Sequence, residues 1–427
     1  MSTNSISNSG PLRDIKILDF TRAYAGPFST MLLADLGATV IKIEPPEGDF
    51  IREIGPFVSE ENKDGGIGGF FNSVNRNKRS IAVDLKTKEG QTVVHDLVKE
   101  CDALICNFST PKVMNKFNLD YEQVKLMNPQ LVYVSISGYG TNYVVDSKYE
   151  GKPTVDIMMQ AESGAMSITG SETGENYKIG PGVGDSYAGV MAAIALLSAI
   201  IERQNSGKGQ FIDIAMLDSM IHLCERIVYQ YSYTGKSPKP EGNRHPFQAP
   251  YSIYDTKDGK IAIAGLPDRY WIRLCKAMDR EDILSDKRFE TSIKRREHQD
   301  VIDEIITTWT TQYTRKEAME ILDHYGCLAA PLNKAEDLFH NEHVKAREML
   351  IDIEANPFTG EKRKIIGVPF KFSETKAEIK HRAPLIGEHS QDTLRDLLNY
   401  SEDQINDLVE KNVIKIKNTD VKMSNNI

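Results

Sequence analysis

Asp185 stands in the run Gly182-Val183-Gly184-Asp185-Ser186-Tyr187-Ala188-Gly189, directly before an apolar stretch ending near Ile201. Glycines at 182, 184 and 189 strip side chains from the backbone, so the chain can turn sharply and a substrate can approach closely. Tyr187 to Arg203 reads as a buried helix. That places Asp185 at its positive end, where free N–H groups and the helix dipole favour an anion. Two readings fit this pattern. Aspartate is among the preferred N-cap residues, so Asp185 is either a simple cap or a reactive acid.

The elements that must position such an acid alternate along the first third of the chain. Ile15 to Phe20 reads as a buried strand, Phe28 to Leu36 as a helix closed by Gly37, and Thr39 to Ile43 as a second strand. Ser80 to Asp84, Ala103 to Cys106 and Leu131 to Ile136 follow as strands, with helices over Glu89 to Lys99 and Tyr121 to Met127. This alternation predicts an α/β fold with a doubly wound, largely parallel sheet. Ligands in that architecture sit beyond the carboxyl ends of strands. Here those ends carry Thr21 to Pro27, Lys86 to Lys88, Asn107 to Thr110 and Ser137 to Gly140. No GxGxxG follows the first strand, so an ordinary dinucleotide site is not expected. Pro27 marks a helix start that can turn N–H groups towards phosphate.

Further on, Phe211 to Ala215 reads as a strand and Asp218 to about Tyr231 as a helix, completing a large domain over 11–232. A Gly-, Pro- and Lys-rich linker over 233–250 leads to a small domain over 251–331. There Tyr251 to Tyr254 and Lys260 to Ala264 form a hairpin, followed by helices near Trp271 to Met278 and Val301 to Thr308. The C-terminal segment, 332–427, mixes short strands with a polar helical tail.

The 427 residues, 40% hydrophobic and 26% charged, leave room for a large core in a soluble globular chain. A net charge of −9, from 52 basic and 61 acidic residues, argues against general affinity for nucleic acid or anionic membranes. The expected partner is a small molecule. Met1 to Gly10 is polar and Ser/Asn-rich, unlike a signal or transit peptide, and reads as a frayed tail. Val190 to Ile201 is too short to span a bilayer and reads as a core helix. Five scattered cysteines without a CxxC pair fit buried spacers in a reducing cytoplasm, and no tight histidine spacing suggests a metal site. His340 and His343, three residues apart, fit a solvated polar helix.

The chain also resembles the class III CoA-transferase family over nearly its whole length; that family includes formyl-CoA transferase, carnitine CoA-transferase and, as a divergent branch, the 2-methylacyl-CoA racemases. The resemblance rests first on Leu18-Asp19-Phe20-Thr21 with Ala25-Gly26-Pro27, then Leu36-Gly37-Ala38 leading to Ile41-Lys42-Ile43-Glu44. Asn77-Lys78-Arg79-Ser80, Ser137-Gly138-Tyr139-Gly140 and Gly184-Asp185 come next. Gly207-Lys208-Gly209-Gln210, His245-Pro246 with Ala249-Pro250-Tyr251, Ala329-Ala330-Pro331 and Gly387-Glu388-His389 complete the order.

The resemblance implies an interlocked homodimer and a transferase that moves CoA from a small acyl-CoA to a free carboxylic acid, with no metal and no permanently bound cofactor. It implies that Asp185 is the nucleophile, passing through an aspartyl anhydride and an aspartyl-CoA thioester, and that Asp156 lines the site. Backbone N–H groups around the glycines would receive the oxyanion. For CoA it points to Tyr24 and Ala25 near the thiol arm, and to Val83, Asp84, Leu85, Lys86, Asn107, Phe108 and Ser109 around the nucleotide. Lys116 stands where relatives carry a phosphate-binding arginine, keeping the charge without the fork.

Two departures matter. The glycine-rich loop of formyl-CoA transferase is replaced by Glu241-Gly242-Asn243-Arg244-His245-Pro246, and Val155 stands where the racemase branch carries a histidine. A two-base racemase, or a CoA-binding dimer without catalysis, are the rival expectations; Val155 has no titratable group and disfavours the first. Tyr139, Arg244 and His245 are candidates for meeting an acceptor carboxylate.

Overall fold

The computed structural model describes residues 9–61 and 63–416; most of the N-terminal tail, 1–8, and the last residues, 417–427, lie outside them. The chain divides into two compact units, and the division differs from the sequence boundaries. The first unit takes Met1–Ala165, Ile179–Tyr229 and Lys345–Ile427, and the second Met166–Lys178 and Gln230–Val344. Hydrogen bonds explain the shifts. Glu172 is paired to Arg244, and Arg315 bonds Leu332 O and Asp337, which ties both excursions to the second unit.

In the first unit, six parallel strands run β1 (Lys16–Asp19), β2 (Thr39–Glu44), β3 (Arg79–Val83), β4 (Ala103–Cys106), β5 (Val132–Ser137) and β6 (Phe211–Ala215). Their order is β3-β2-β1-β4-β5-β6, with Ile414–Lys415 added antiparallel beside β3. The apolar runs of β1 to β5 are buried almost throughout, as a parallel sheet covered on both faces requires. The order reverses between β1 and β4. That switch point is where an α/β sheet opens a crevice for ligand.

Helix α1 (Ala25–Asp35) begins three residues before the expected Phe28, with Tyr24 at its N-cap. A second helix, α2 (Val183–Ser206), packs on α1 and on β5 and β6, and buries Gly184, Ala188, Ala192, Leu196 and Ala199. With 24 residues it is long enough to cross a bilayer, but this buried stripe makes it the core helix expected from the sequence. It starts four residues earlier than Tyr187. Asp185 is therefore the third helical residue, and Gly182 occupies the cap. The contact between α1 and α2 requires Gly189: a Cβ there would lie 2.6 Å from Ala25 O. The helix expected over 218–231 is two helices, α3 (Met216–Leu223) and α4 (Glu225–Thr234), broken at Cys224, whose ψ of 45° leaves the helical range.

The second unit carries a three-stranded antiparallel sheet. The expected hairpin, Tyr251–Asp255 with Lys260–Ala264, is joined by Leu328–Pro331. Helices Asp268–Ala277, Gln299–Thr310 and Arg315–His324 bury Trp271, Leu274, Ile302, Ile306, Trp309 and Leu322 at helical spacing. His340 and His343 fall in separate short helices and are exposed. Four cysteines are buried and Cys327 is partly so, all five as free thiols.

Candidate active site

Asp185 meets Asp156 at the start of α2. Asp156 opens a short helix, Asp156–Glu162, and places Oδ1 2.8 Å from Gly184 N–H, an N-terminal donor of α2. Its Oδ2 accepts from Gln160 Nε2 at 2.7 Å, and Gln160 Oε1 accepts from Ile179 N–H at 2.8 Å. Asp156 thus caps a helix other than its own, and the buried Gln160 fixes its rotamer. Gly184 is required here, because a Cβ would sit 3.0 Å from Asp156 Oδ1. The backbone donors expected to receive an oxyanion are partly committed: Gly184 N–H bonds Asp156, and Ser186 N–H bonds Gly182 O.

The Asp185 carboxylate is different. Among the described residues no donor bonds it, and it is partly buried. Burial first, and the charge of Asp156 second, push its carboxyl up to about 7. Tyr24 faces the same pair: burial, then Asp185 and Asp156, raise its phenol above the ordinary value. Three residues singled out in the sequence, Tyr24, Asp156 and Asp185, therefore gather at one place. Val155 precedes them with an exposed, apolar side chain.

The loop that presents Tyr24 is fixed by buried charge. Asp19 at the end of β1 accepts from Thr21 N–H and Oγ1 and from Thr30 Oγ1, and Lys78 Nζ lies 3.0 Å from its Oδ2. Lys78 also donates to Pro27 O, and Lys42 donates to Thr21 O and to Asp49. Both ends of Thr21 to Pro27 are thus held by ammonium groups that solvent does not reach. Burial alone would raise the Asp19 carboxyl; Lys78 and Lys42, together with the hydrogen bonds from Thr21 and Thr30, outweigh it and hold it at about 2. Beside them Arg52 grips Glu44 through two bonds of 2.8 and 2.7 Å, and Ser80 donates to Glu44. Gly387 N–H reaches Ser80 Oγ.

The residues expected around CoA follow the carboxyl ends of β1, β4 and β3; β1 and β4 are neighbours, and β3 lies beyond β2. Ala25 is buried under α2, and Val83 is buried in the core at the end of β3. Asp84 accepts from Lys86 N–H in the turn beyond, with Leu85 partly buried and Lys86 exposed. Asn107 spends both side-chain atoms on Arg22, accepting from its N–H and donating to its carbonyl. Phe108 is partly buried, Ser109 O accepts from Gly151 N–H, and Lys116 is an exposed side chain ending the short helix Lys112–Asn115. Arg244 is committed elsewhere, to Glu172, Asp300 and Asp303, and Tyr139 donates to Glu162. His245 packs its ring against Phe247 and Tyr251.

Sequence reasoning missed Gln160, Arg22 and the buried Lys42–Asp49 and Lys78–Asp19 pairs. Gln160 was legible only as one helical turn beyond Asp156, and the lysines only as members of the quoted strings.

Comparison with known proteins sets this site in a family. The model of CoA-transferase family III matches residues 12–390. A succinyl-CoA:mesaconate CoA-transferase of Haloarcula hispanica is 40% identical over 385 residues, which cover 90% of this chain and 96% of that protein. A succinate–glutarate CoA-transferase of Agrobacterium fabrum is 34% identical over 399 residues, 92% of this chain and 98% of the other. The crystal structure of a CAIB/BAIF family protein from Brucella suis superposes with a TM-score of 0.80 at 35% identity, covering 91% of this chain and all of that one. The chain belongs to CoA-transferase family III and, like these relatives, is a CoA-transferase, acting on an acyl-CoA and a carboxylic acid.

Proposed function

We propose that this transferase takes CoA from succinyl-CoA and gives it to a short dicarboxylic acid, with Asp185 as the nucleophile. The acid class rests on the two curated relatives, which act on mesaconate and glutarate. The role of Asp185 rests chiefly on one observation: its carboxylate alone at the site accepts no bond from a described residue, while Asp156 beside it spends both oxygens.

The chemistry then follows. One Asp185 oxygen attacks the thioester carbonyl, the C–S bond breaks, and CoA leaves as a thiolate, giving a mixed anhydride. The thiolate attacks Asp185 Cγ and expels the donor carboxylate, leaving an aspartyl-CoA thioester. The acceptor carboxylate attacks that thioester, and the C–S bond breaks to release CoA thiolate and leave an aspartyl–acceptor anhydride. The thiolate attacks the acceptor's acyl carbon, breaking the anhydride C–O bond and freeing the Asp185 carboxylate. Poor solvation strengthens the nucleophile, and Tyr24 stands beside the pair.

Incubation with succinyl-CoA alone, borohydride reduction and peptide mapping test this. The expected result is a changed mass on the peptide holding Asp185; turnover by Asp185→Asn at the unaltered rate would refute the assignment. The active form we propose is a homodimer, in line with the family resemblance and with the exposed side chains of Ile194 and Ile201 on α2 and Ile221 on α3. Light scattering at the mass of one chain would rule it out.

A further inference from the structure

Arg22 follows the carboxyl end of β1, beside the reversal of strand order between β1 and β4. Its main chain is clamped: Asn107 at the end of β4 bonds both its N–H, at 2.8 Å, and its carbonyl, at 2.7 Å. Thr21 before it is held by Lys42, and Ala23 after it takes a positive φ of 62°, a conformation alanine rarely adopts. The side chain has no such partners. Its guanidinium is exposed, forms no ion pair with a described residue, and lies 6.0 Å from the Phe108 ring centroid. A rigid backbone thus presents a free planar cation, beside a flat aromatic face, over the crevice of the sheet.

We infer that Arg22 binds a phosphate group of the CoA ester. The inference rests on the placement of the CoA site proposed above. A guanidinium offers a fixed fork of N–H donors that matches two phosphate oxygens at once. Neither Ser109 nor Lys116 can offer that fork. Lys86 and Lys116, exposed after β3 and after the short helix that follows β4, are further cations at this end of the sheet. Fixing the backbone in advance lowers the entropy lost when the side chain engages.

The test is calorimetric titration of CoA and of dephospho-CoA into the full-length protein, its Arg22→Lys variant and its Arg22→Gln variant. Arg22→Gln is expected to weaken CoA by about tenfold to a hundredfold, with Arg22→Lys between the two. An unchanged melting temperature shows that the fold is intact. A loss seen with CoA but not with dephospho-CoA places Arg22 on the 3′-phosphate, and an equal loss with both places it on the diphosphate. Equal affinity of Arg22→Gln and the unaltered protein for both ligands would overturn the inference. Failure of the unaltered protein to bind CoA appears before any substitution and would overturn the site placement itself.

Discussion

Two aspartates in the same unit meet opposite surroundings. Asp19 is fully buried and accepts from two hydroxyls, a backbone N–H and an ammonium group, so its carboxyl is held at about 2. Asp185 is partly buried with no donor to offset that burial, and it faces a second carboxylate, so its carboxyl rises to about 7. Burial acts in the same direction on both. The partners decide the outcome, and they separate a carboxylate that holds a loop from one left free to react. The contrast extends to the whole of each region. Around Asp19, Lys42 and Lys78 donate to the carbonyls at the ends of the Thr21 to Pro27 loop; around Asp185, no donor of a described residue reaches the carboxylate.

Removing one charge from each region should therefore move stability in opposite directions. Lys78→Met leaves Asp19 buried with its nearest cation gone, and breaking such a pair costs about 3–5 kcal/mol. Urea denaturation at pH 7 should show a loss of that size; a variant as stable as the unaltered protein would mean that the network does not hold the loop. Asp185→Asn should stabilise. Burial and the charge of Asp156 raise the Asp185 carboxyl to about 7 in the fold against about 3.8 in the unfolded chain, so the folded state favours the proton. That preference is fully present below about pH 3.8 and is lost as the pH rises through about 7. Asparagine escapes the loss. Its melting temperature should exceed that of the unaltered protein at pH 8, and the gap should close towards pH 4. A gap that stays constant with pH would contradict the raised pKa.

The two regions were not equally legible in the sequence. The strands around Asp19 are apolar runs whose periodicity reports a buried parallel sheet, and four expected elements, Ala103–Cys106, Tyr121–Met127, Phe211–Ala215 and Lys260–Ala264, agree to the residue. The charges threaded through those strands were visible as strings and not as a network. Burial of a lysine can depend on a partner 59 residues away, as with Lys78 and Asp19, and no local pattern records it. On the other side, the glycines and the apolar helix exposed Asp185 as a candidate. They placed it at the cap because a helix start at Gly182 has no side chain to announce it. The helix opened by Asp156 was missed for the same reason, since Val155 before it offers no capping oxygen. The third strand of the small sheet, Leu328–Pro331, ends in a proline, which the pattern of strands disfavours except at an edge, where it lies.

The finest test of the contrast asks how much of the Asp185 environment belongs to its neighbour. Burial is the larger cause of the raised carboxyl and the Asp156 charge the smaller. Asp156→Asn removes that charge at nearly equal size; its Oδ1 can still accept from Gly184 N–H and cap the start of α2, while its Nδ2 gives up the bond from Gln160 Nε2. Asp185 reacts as the ionised form, so the first-turnover rate should fall as the pH drops through about 7. In Asp156→Asn the midpoint should move to lower pH while remaining above the ordinary carboxylate range, because burial is untouched. Single-turnover rates with succinyl-CoA between pH 5 and 9 would read this directly. A midpoint unmoved by the substitution would assign the whole effect to burial; a midpoint returned to the ordinary range would assign it to Asp156 and reverse the order of causes.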